Sequence, residues 1–109
     1  MSVSELFKET RLPVLAAPLF IISYPELVIA QCKAGVIGSF PALNARPAEE
    51  LEKWIIKISS ELEKYKKDNP DEIVSPFAVN QICHSSNDRL EHDVDVCVKH
   101  KVPMVITSL

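Results

Sequence analysis

The residues best suited to chemistry in this sequence stand together near the middle of the chain, in the segment 76–84. Asn80 carries an amide, Cys83 a thiol and His84 an imidazole, so the segment offers hydrogen-bonding, nucleophilic and proton-transfer groups. The first half of the segment is apolar and uncharged, which is typical of a strand buried on both faces of a parallel sheet. Because ligands bind at the carboxyl ends of such strands, we expect 80–84 to border a binding site.

The side chains of this strand are expected to alternate between two faces. One face would carry Ala78, Asn80 and Ile82, and the other Phe77, Val79 and Gln81. The bulky residues would pack on covering helices, whereas the small Ala78 leaves room beside Asn80 for another group. A buried amide without partners costs about 1 to 3 kcal/mol, so Asn80 is expected to bond either a ligand or a neighbouring loop.

Cys83 and His84 suggest a nucleophile with its base, but neighbours in a strand point to opposite faces, which disfavours that interpretation. His84 is a candidate for contact with a substrate. The alternative, which we favour, is a loop histidine that caps the next helix or bonds Asn87. Cys32 and Cys97 fall in helical patterns and are expected to be reduced and to pack as small apolar residues. The cysteines lack metal-finger spacing, so no metal site is expected.

The composition is that of an ordinary globular domain. The chain has 109 residues, of which 47% are hydrophobic and 25% charged, with a net charge of -3. The absence of a basic stripe argues against nucleic acid as a partner. The longest apolar stretch, residues 13–22, is shorter than the roughly 20 residues that span a bilayer. No basic cluster precedes it, as a signal peptide requires, so we expect a cytoplasmic protein that does not bind membranes.

Strand and helix patterns alternate along the whole chain. Strands are predicted near residues 13–20, 36–40, 76–82 and 102–107. A helical pattern separates each pair of strands, and no hairpin signal occurs. This alternation is typical of a parallel α/β sheet with right-handed crossovers. The sequence therefore predicts a single domain, residues 1–109, built from βα repeats.

The predicted helices carry recognisable ends. A capping box of Ser23 and Glu26 would start the first helix, and Gly35 would end it. The second helix would open at Pro47. Its apolar face consists of Leu51, Trp54, Ile55, Ile58, Leu62 and Tyr65. The third helix is expected to bury Leu90, Val94, Cys97 and Val98.

The fourth predicted strand ends the chain without a helix to cover it. Such an end leaves an apolar surface and an open sheet edge. We therefore expect that further strands are missing from this chain.

Taken together, the strand ends resemble the opening portion of the nitronate monooxygenase family, formerly called 2-nitropropane dioxygenases. The resemblance covers residues 12–109. It is carried by Ala16-Ala17-Pro18-Leu19, Gly38-Ser39-Phe40-Pro41, Val79-Asn80-Gln81-Ile82 and Ile106-Thr107-Ser108. It implies an FMN-dependent TIM (β/α)8 barrel, of which this chain would be the N-terminal half. Such an enzyme oxidises alkyl nitronates with oxygen to a carbonyl compound and nitrite.

The resemblance also implies cofactor-binding residues. In this sequence they are Ala17, Pro18 and Leu19, whose backbone would line the flavin ring, Asn80, which would hydrogen-bond FMN, and Ser39 and Ser108 at neighbouring strand ends. Leu19 stands where many members of the family have Met.

The rest of the family's site is not matched by this chain. The family's phosphate-binding glycine loops and catalytic histidine follow later strands, and the only glycines here are Gly35 and Gly38. Because a barrel of this type needs about 250 residues, activity is expected to require the missing C-terminal half.

Two other interpretations remain open. Flavin-dependent enoyl-ACP reductases share the barrel, so the chain could belong to an enzyme of that reaction. Alternatively, the chain is a non-catalytic remnant or a self-associating half-barrel. In that case a homodimer would bury the open sheet edges, as symmetric dimers commonly do.

Overall fold

The computed structural model describes residues 2–109 and contains four helices and three strands within them. In chain order these are α1 (Val3–Leu6), α2 (Pro25–Ala34), β1 (Gly38–Pro41), α3 (Glu50–Asp68), β2 (Phe77–Ile82), α4 (Leu90–Lys99) and β3 (Met104–Ser108). Two short 3-10 helices, Phe7–Glu9 and Ala42–Asn44, follow α1 and β1. The predicted α/β alternation is confirmed.

The three strands form one parallel sheet in the order β1-β2-β3. In its register, Ser39 pairs with Ala78, while Asn80 pairs with Pro41 on one side and Ile106 on the other. Because every strand runs in the same direction, their carboxyl ends meet at one edge of the sheet. That edge carries the end of β2 with Asn80.

The predicted first strand, residues 13–20, is corrected to an extended segment with one bridge to the sheet. Leu15 forms an isolated parallel bridge with Ile37, just before β1. The Ala16 N–H donates to the Ile37 carbonyl (2.8 Å), and the Ile37 N–H donates to the Val14 carbonyl (3.1 Å). The pairing extends no further because Pro13 and Pro18 have no N–H to donate and the chain turns at residues 20–22.

Helix α2 begins at a proline and ends at a glycine. Pro25 occupies its first turn, and Gly35 ends it with φ +94°, as predicted. The predicted capping box is wrong, because the residue at the N-cap is Tyr24 and no side chain caps the helix. The Ser23 hydroxyl instead accepts the Leu19 N–H (2.8 Å). At Gly38 a Cβ atom would lie 2.6 Å from the Val28 carbonyl oxygen, so this glycine allows α2 to lie against β1.

Helix α3 supplies the largest share of the core. Its buried side chains are Leu51, Ile55, Ile58 and Leu62, with Trp54 and Tyr65 packed at the margin. These are the six residues of the predicted apolar face. They pack on Phe77 and Val79 of β2, which confirms the predicted outer face of that strand. The helix starts at Glu50 rather than at Pro47, because residues 48–49 form a turn.

The predicted buried face of α4 is partly wrong. Cys97 is buried as expected, but Asp93 and Val96 complete the buried set. Val98 is 71% exposed and Val94 38% exposed. Val98 is therefore largely open to solvent, whereas Val94 is only partly covered by the rest of residues 2–109.

The last strand forms an open border of the sheet. Strand β3 pairs with β2 on one side only, and Val105 on it is 42% exposed. None of the helices in the described part of the chain is both long and apolar enough to cross a membrane.

Candidate functional site

The carboxyl ends of β2 and β3 are joined by the side chain of Asn80. Asn80 is 6% exposed, and its Nδ2 donates to the Ile106 carbonyl and to the Ser108 hydroxyl oxygen, each at 2.9 Å. Its Oδ1 accepts no hydrogen bond from any of residues 2–109. Two of the predicted site residues, Asn80 and Ser108, are therefore in contact, and the amide keeps a free acceptor.

Backbone groups of Ala17 and Pro18 also lack hydrogen-bond partners within residues 2–109. Ala17 is exposed, and neither its N–H and carbonyl nor the Pro18 carbonyl bonds another group within the described chain. The backbone of Leu19 is fully used, because its N–H donates to Ser23 and its carbonyl accepts from the Asn44 amide (3.1 Å). At the end of this extended segment, the backbone groups available to a ligand thus belong to Ala17 and Pro18. Leu19 offers only its side chain.

Ser39 lies in a different environment from the other predicted site residues. It is fully buried on β1, and its hydroxyl donates to the Ala16 carbonyl. This bond ties the extended segment before Ala17 to the sheet. The position of Ser39 allows it to hold the neighbouring backbone in place, rather than to meet a ligand with its hydroxyl.

Asn44 fixes the loop that follows the first extended segment. It is 4% exposed, and its Nδ2 donates to the carbonyls of Leu19 (3.1 Å) and Ser23 (3.0 Å). Its Oδ1 accepts the Ile21 N–H (3.0 Å). Its partners are 21 to 25 positions away along the chain, so no local sequence pattern indicates these contacts.

Arg89 and Asp93 form a second network that the sequence did not reveal. The Arg89 guanidinium donates to the carbonyls of Ala45 (2.6 Å) and Ala42 (3.3 Å), and Nη2 lies 3.2 Å from Asp93 Oδ2. Asp93 is fully buried, and His92 Nδ1 lies 2.8 Å from its Oδ1. This network fastens the start of α4 to the turn that carries Asn44. An i, i+4 pair of Arg and Asp was a readable signal, but nothing in the sequence indicated its burial.

His84 bonds locally, in the turn after β2. Its ring Nδ1 accepts the Ser86 N–H (3.1 Å) and lies 2.8 Å from the Ser86 hydroxyl. Its carbonyl accepts the Asn87 N–H (2.9 Å). Cys83 contacts the Gln81 carbonyl through its thiol (3.7 Å), not His84. The two residues are therefore not arranged as a nucleophile with its base, and the loop interpretation of His84 describes these contacts.

The three thiols differ in their surroundings. Burial raises the pKa of the Cys32 thiol to about 11. Burial also raises the pKa of Cys97, whose sulfur accepts a hydrogen bond from Gln81 Nε2 (3.4 Å). Both cysteines are buried in helices, as predicted, whereas Cys83 is exposed at the end of β2.

Charged contacts tie the helices together away from the strand ends. Glu52 of α3 accepts from Lys99 (2.6 Å) and His100 (2.7 Å) at the end of α4. These two hydrogen bonds, that of Lys99 first, lower the pKa of Glu52 to about 2. A hydrogen bond from Lys57 lowers the pKa of Glu26 in the same way, between α3 and α2.

Within residues 2–109, this site contains neither a cluster of metal-ligating side chains nor a glycine-rich loop. Over residues 2–109 no group of three His, Cys, Asp or Glu side chains is placed to hold a metal ion. Gly35 ends a helix and Gly38 allows α2 to approach β1, so both glycines serve the fold. An open cavity of about 470 Å³ lies at the opposite, amino-terminal end of the sheet, next to Leu6, Phe77 and Val102.

The fold and the sheet order define an α/β chain that matches the N-terminal part of a TIM barrel. A solved structure with this similarity is FabK (M276A mutant) from Thermotoga maritima, with a TM-score of 0.72 and 24% sequence identity. The match covers 98% of this chain and 31% of that chain, so this chain spans about a third of FabK's length. No family model and no curated protein matches the chain.

Proposed function

We propose that this chain supplies the ring-binding side of an FMN-dependent oxidoreductase of the nitronate monooxygenase type. Such an enzyme oxidises alkyl nitronates with oxygen to a carbonyl compound and nitrite. The observation that carries the proposal is the set of free polar groups at the carboxyl ends of parallel strands: Asn80 Oδ1, the Ala17 backbone and the Ser108 hydroxyl hydrogen. In parallel α/β folds, ligands bind at this end of the sheet.

These groups fit the polar edge of a flavin ring, which has both donors and acceptors. The Ala17 N–H and the Ser108 hydroxyl would donate, while Asn80 Oδ1 and the Pro18 carbonyl would accept. The exposed Leu19 side chain would lie against the apolar part of the ring. When bound, FMN supplies the redox chemistry, and the protein groups hold and orient it. His84, which bonds within the turn after β2, is the weaker candidate for contact with the substrate.

The described residues offer no match for the FMN phosphate. Both glycines have structural roles, since Gly35 ends α2 and Gly38 lies against Val28. The chain also covers only 31% of FabK. We therefore propose that turnover requires the remaining strands of a barrel. The isolated chain would bind the ring alone, and weakly.

Titration with two flavins tests this proposal. Lumiflavin has the ring of FMN but no phosphate, so the chain is expected to bind both with similar affinity, measured by quenching of flavin fluorescence. Asn80→Ala should weaken both, whereas Ser85→Ala, at an exposed position beyond β2, should not. Much tighter binding of FMN than of lumiflavin would show a phosphate site in this chain. Equal binding by the two variants would remove Asn80 from the site.

An enoyl-ACP reductase is the second candidate, because flavin-dependent enzymes of that reaction share the barrel whose N-terminal part this chain matches in fold. Where the gene encodes further strands in frame, the two reactions separate by reductant. A reductase oxidises reduced nicotinamide when given an enoyl thioester. A nitronate monooxygenase consumes oxygen with an alkyl nitronate and does not depend on that reductant.

The third candidate is a non-catalytic, self-associating chain, favoured by the open side of β3. Val105 on β3 and Val98 on α4 are both exposed, and a homodimer that covers β3 and α4 would bury them. Gel filtration tests this candidate: a dimer that dissociates in Val98→Lys would support it, and a monomer at all concentrations would count against it. We propose the cytoplasm as the location for any of these functions.

A further inference from the structure

The loop of residues 19–22 presents four consecutive apolar side chains to solvent. Leu19, Phe20, Ile21 and Ile22 are 46%, 57%, 66% and 61% exposed. The loop follows the extended segment that carries Ala17, so it stands at the same end of the sheet as the candidate site. Single exposed apolar residues are ordinary, but a contiguous patch commonly marks a binding surface.

This loop is held in one shape by buried polar contacts. Ile21 has φ +54°, a conformation that β-branched residues rarely adopt. Asn44 accepts the Ile21 N–H, and Ser23 accepts the Leu19 N–H, so the strained turn is fixed by two side chains. Strain of this kind persists only when the surroundings enforce it, and it concentrates at ligand-contacting segments. The apolar side chains are therefore presented in a fixed arrangement.

An arginine without an acidic partner borders the patch. The Arg46 guanidinium lies 5.5 Å from the centre of the Phe20 ring, and its Nε donates to the Leu43 carbonyl (3.1 Å). No carboxylate within residues 2–109 forms an ion pair with it. Its terminal N–H groups are thus available to an anion, and a guanidinium suits planar anions such as carboxylates and nitronates.

We infer that residues 19–22 and Arg46 together bind a small anion that carries an apolar chain. The alkyl chain would contact the loop, and the anionic head would pair with Arg46. A second copy of the chain is a poorer occupant, because a two-fold contact centred on this loop would bring two Arg46 side chains together. The identification of that anion as an alkyl nitronate rests on the proposed function, whereas the binding of amphiphilic anions does not.

Octanoate, a stable alkyl carboxylate, is the probe for this inference. In amide-resolved NMR of the 109-residue chain, octanoate is expected to shift residues 19–22 and the Arg46 side chain. Arg46→Gln should weaken octanoate binding up to about fivefold, which corresponds to the roughly 1 kcal/mol that an ion pair at an exposed side chain contributes. The same variant should change the affinity for uncharged octan-1-ol less than about twofold. Phe20→Ser should weaken both ligands.

Two controls keep the result specific. Arg11→Gln removes an arginine that pairs with Glu72 away from the loop, and it should leave octanoate affinity unchanged. Arg46→Lys, which keeps the charge, should restore part of the affinity lost in Arg46→Gln. Unshifted amides of β2 in each variant show that the fold is intact.

Several outcomes would overturn the inference. Octanoate shifts outside the loop, or an equal loss of octan-1-ol binding in Arg46→Gln, would remove the anion site. A dimer that Phe20→Ser dissociates, or loop shifts caused by neutral phosphatidylcholine vesicles, would reassign the patch to self-association or to a lipid surface. Flavin takes no part in these measurements, so failure here and failure of the lumiflavin test are distinguishable.

Discussion

Asn44 and Asn80 are both buried amides near the carboxyl ends of neighbouring strands, but they are used differently. Asn44 is hydrogen-bonded through both its nitrogen and its oxygen, to three backbone groups of a single loop. Asn80 uses only its nitrogen, toward β3, and keeps its oxygen free. Because Asn80 Oδ1 has no partner within residues 2–109 and lies beside open strand ends, it is available to a ligand. The comparison separates an amide that shapes the site from one that faces it.

Asn44→Ala is expected to produce the largest loss of stability. The change removes three hydrogen bonds and leaves the Ser23 carbonyl and the Ile21 N–H without their partner, while the Leu19 carbonyl keeps the Ser23 N–H (2.9 Å). The free energy of unfolding should therefore fall by about 3 kcal/mol. Urea denaturation followed by Trp54 fluorescence measures this loss. A loss no larger than that of Asn80→Ala would contradict the distinction between the two amides.

Asn80→Ala should destabilise the chain less, by about 1 to 2 kcal/mol, because only the two bonds from Nδ2 are lost. The same urea experiment applies, and Asn87→Ala, in the turn after β2, provides a control from the same region. The distinguishing result is the combination of a modest loss of stability with a clear loss of flavin affinity. Asn44→Ala should disturb flavin binding only through the loop.

The predictability of these two amides from sequence differs for a physical reason. Asn80 lies in a strand whose alternation is visible, so its face and its need for a hydrogen-bond partner were expected, although its bonds to β3 and its free oxygen were not. The role of Asn44 depends on a loop more than 20 residues earlier, and no local pattern reports such contacts. The burial of Asp93 beside Arg89 was hidden in the same way, because a charged residue is normally expected at the surface.

The fold was more predictable than the site. The period of α3 gave its four buried residues and the two at the margin of the core, and the uncharged run at 76–82 gave the central strand. The length of the first strand was overestimated. Its apolar pattern continues past Pro18, but pairing with the sheet does not, because Pro18 has no N–H to donate. Val94 and Val98 were expected to be buried because periodicity registers an apolar face whether or not the described chain covers it.

Ser39→Ala tests whether the extended segment before Ala17 is held by side-chain contacts. The Ser39 hydroxyl donates to the Ala16 carbonyl, so the variant is expected to lose about 1 kcal/mol of stability. Hydrogen exchange of the Ala16 amide should become faster while β2 amides keep their protection. Unchanged exchange at Ala16 would mean that the bridge at Leu15 suffices to hold the segment.

The smallest effect is expected at Glu52, far from either amide. Its pKa is lowered from 4.5 to about 2, so its ion pairs stabilise the folded state above pH 4.5 and lose this effect as the pH falls toward 2. The melting temperature of Glu52→Gln should therefore lie below that of the parent chain near pH 6, and the two should converge near pH 2. Glu63→Gln, on the exposed side of α3, should show no such convergence. A pH-independent difference would remove the ion pairs as the cause.

Because two of the three thiols are buried and one is exposed, the chain can be labelled at a single cysteine. Thiolate is the reactive form, so burial and raised pKa values protect Cys32 and Cys97, while Cys83 is accessible directly after β2. A maleimide dye at mildly alkaline pH should attach at Cys83 without any engineered change. Its emission would then report on whatever occupies the strand ends, in the unaltered sequence.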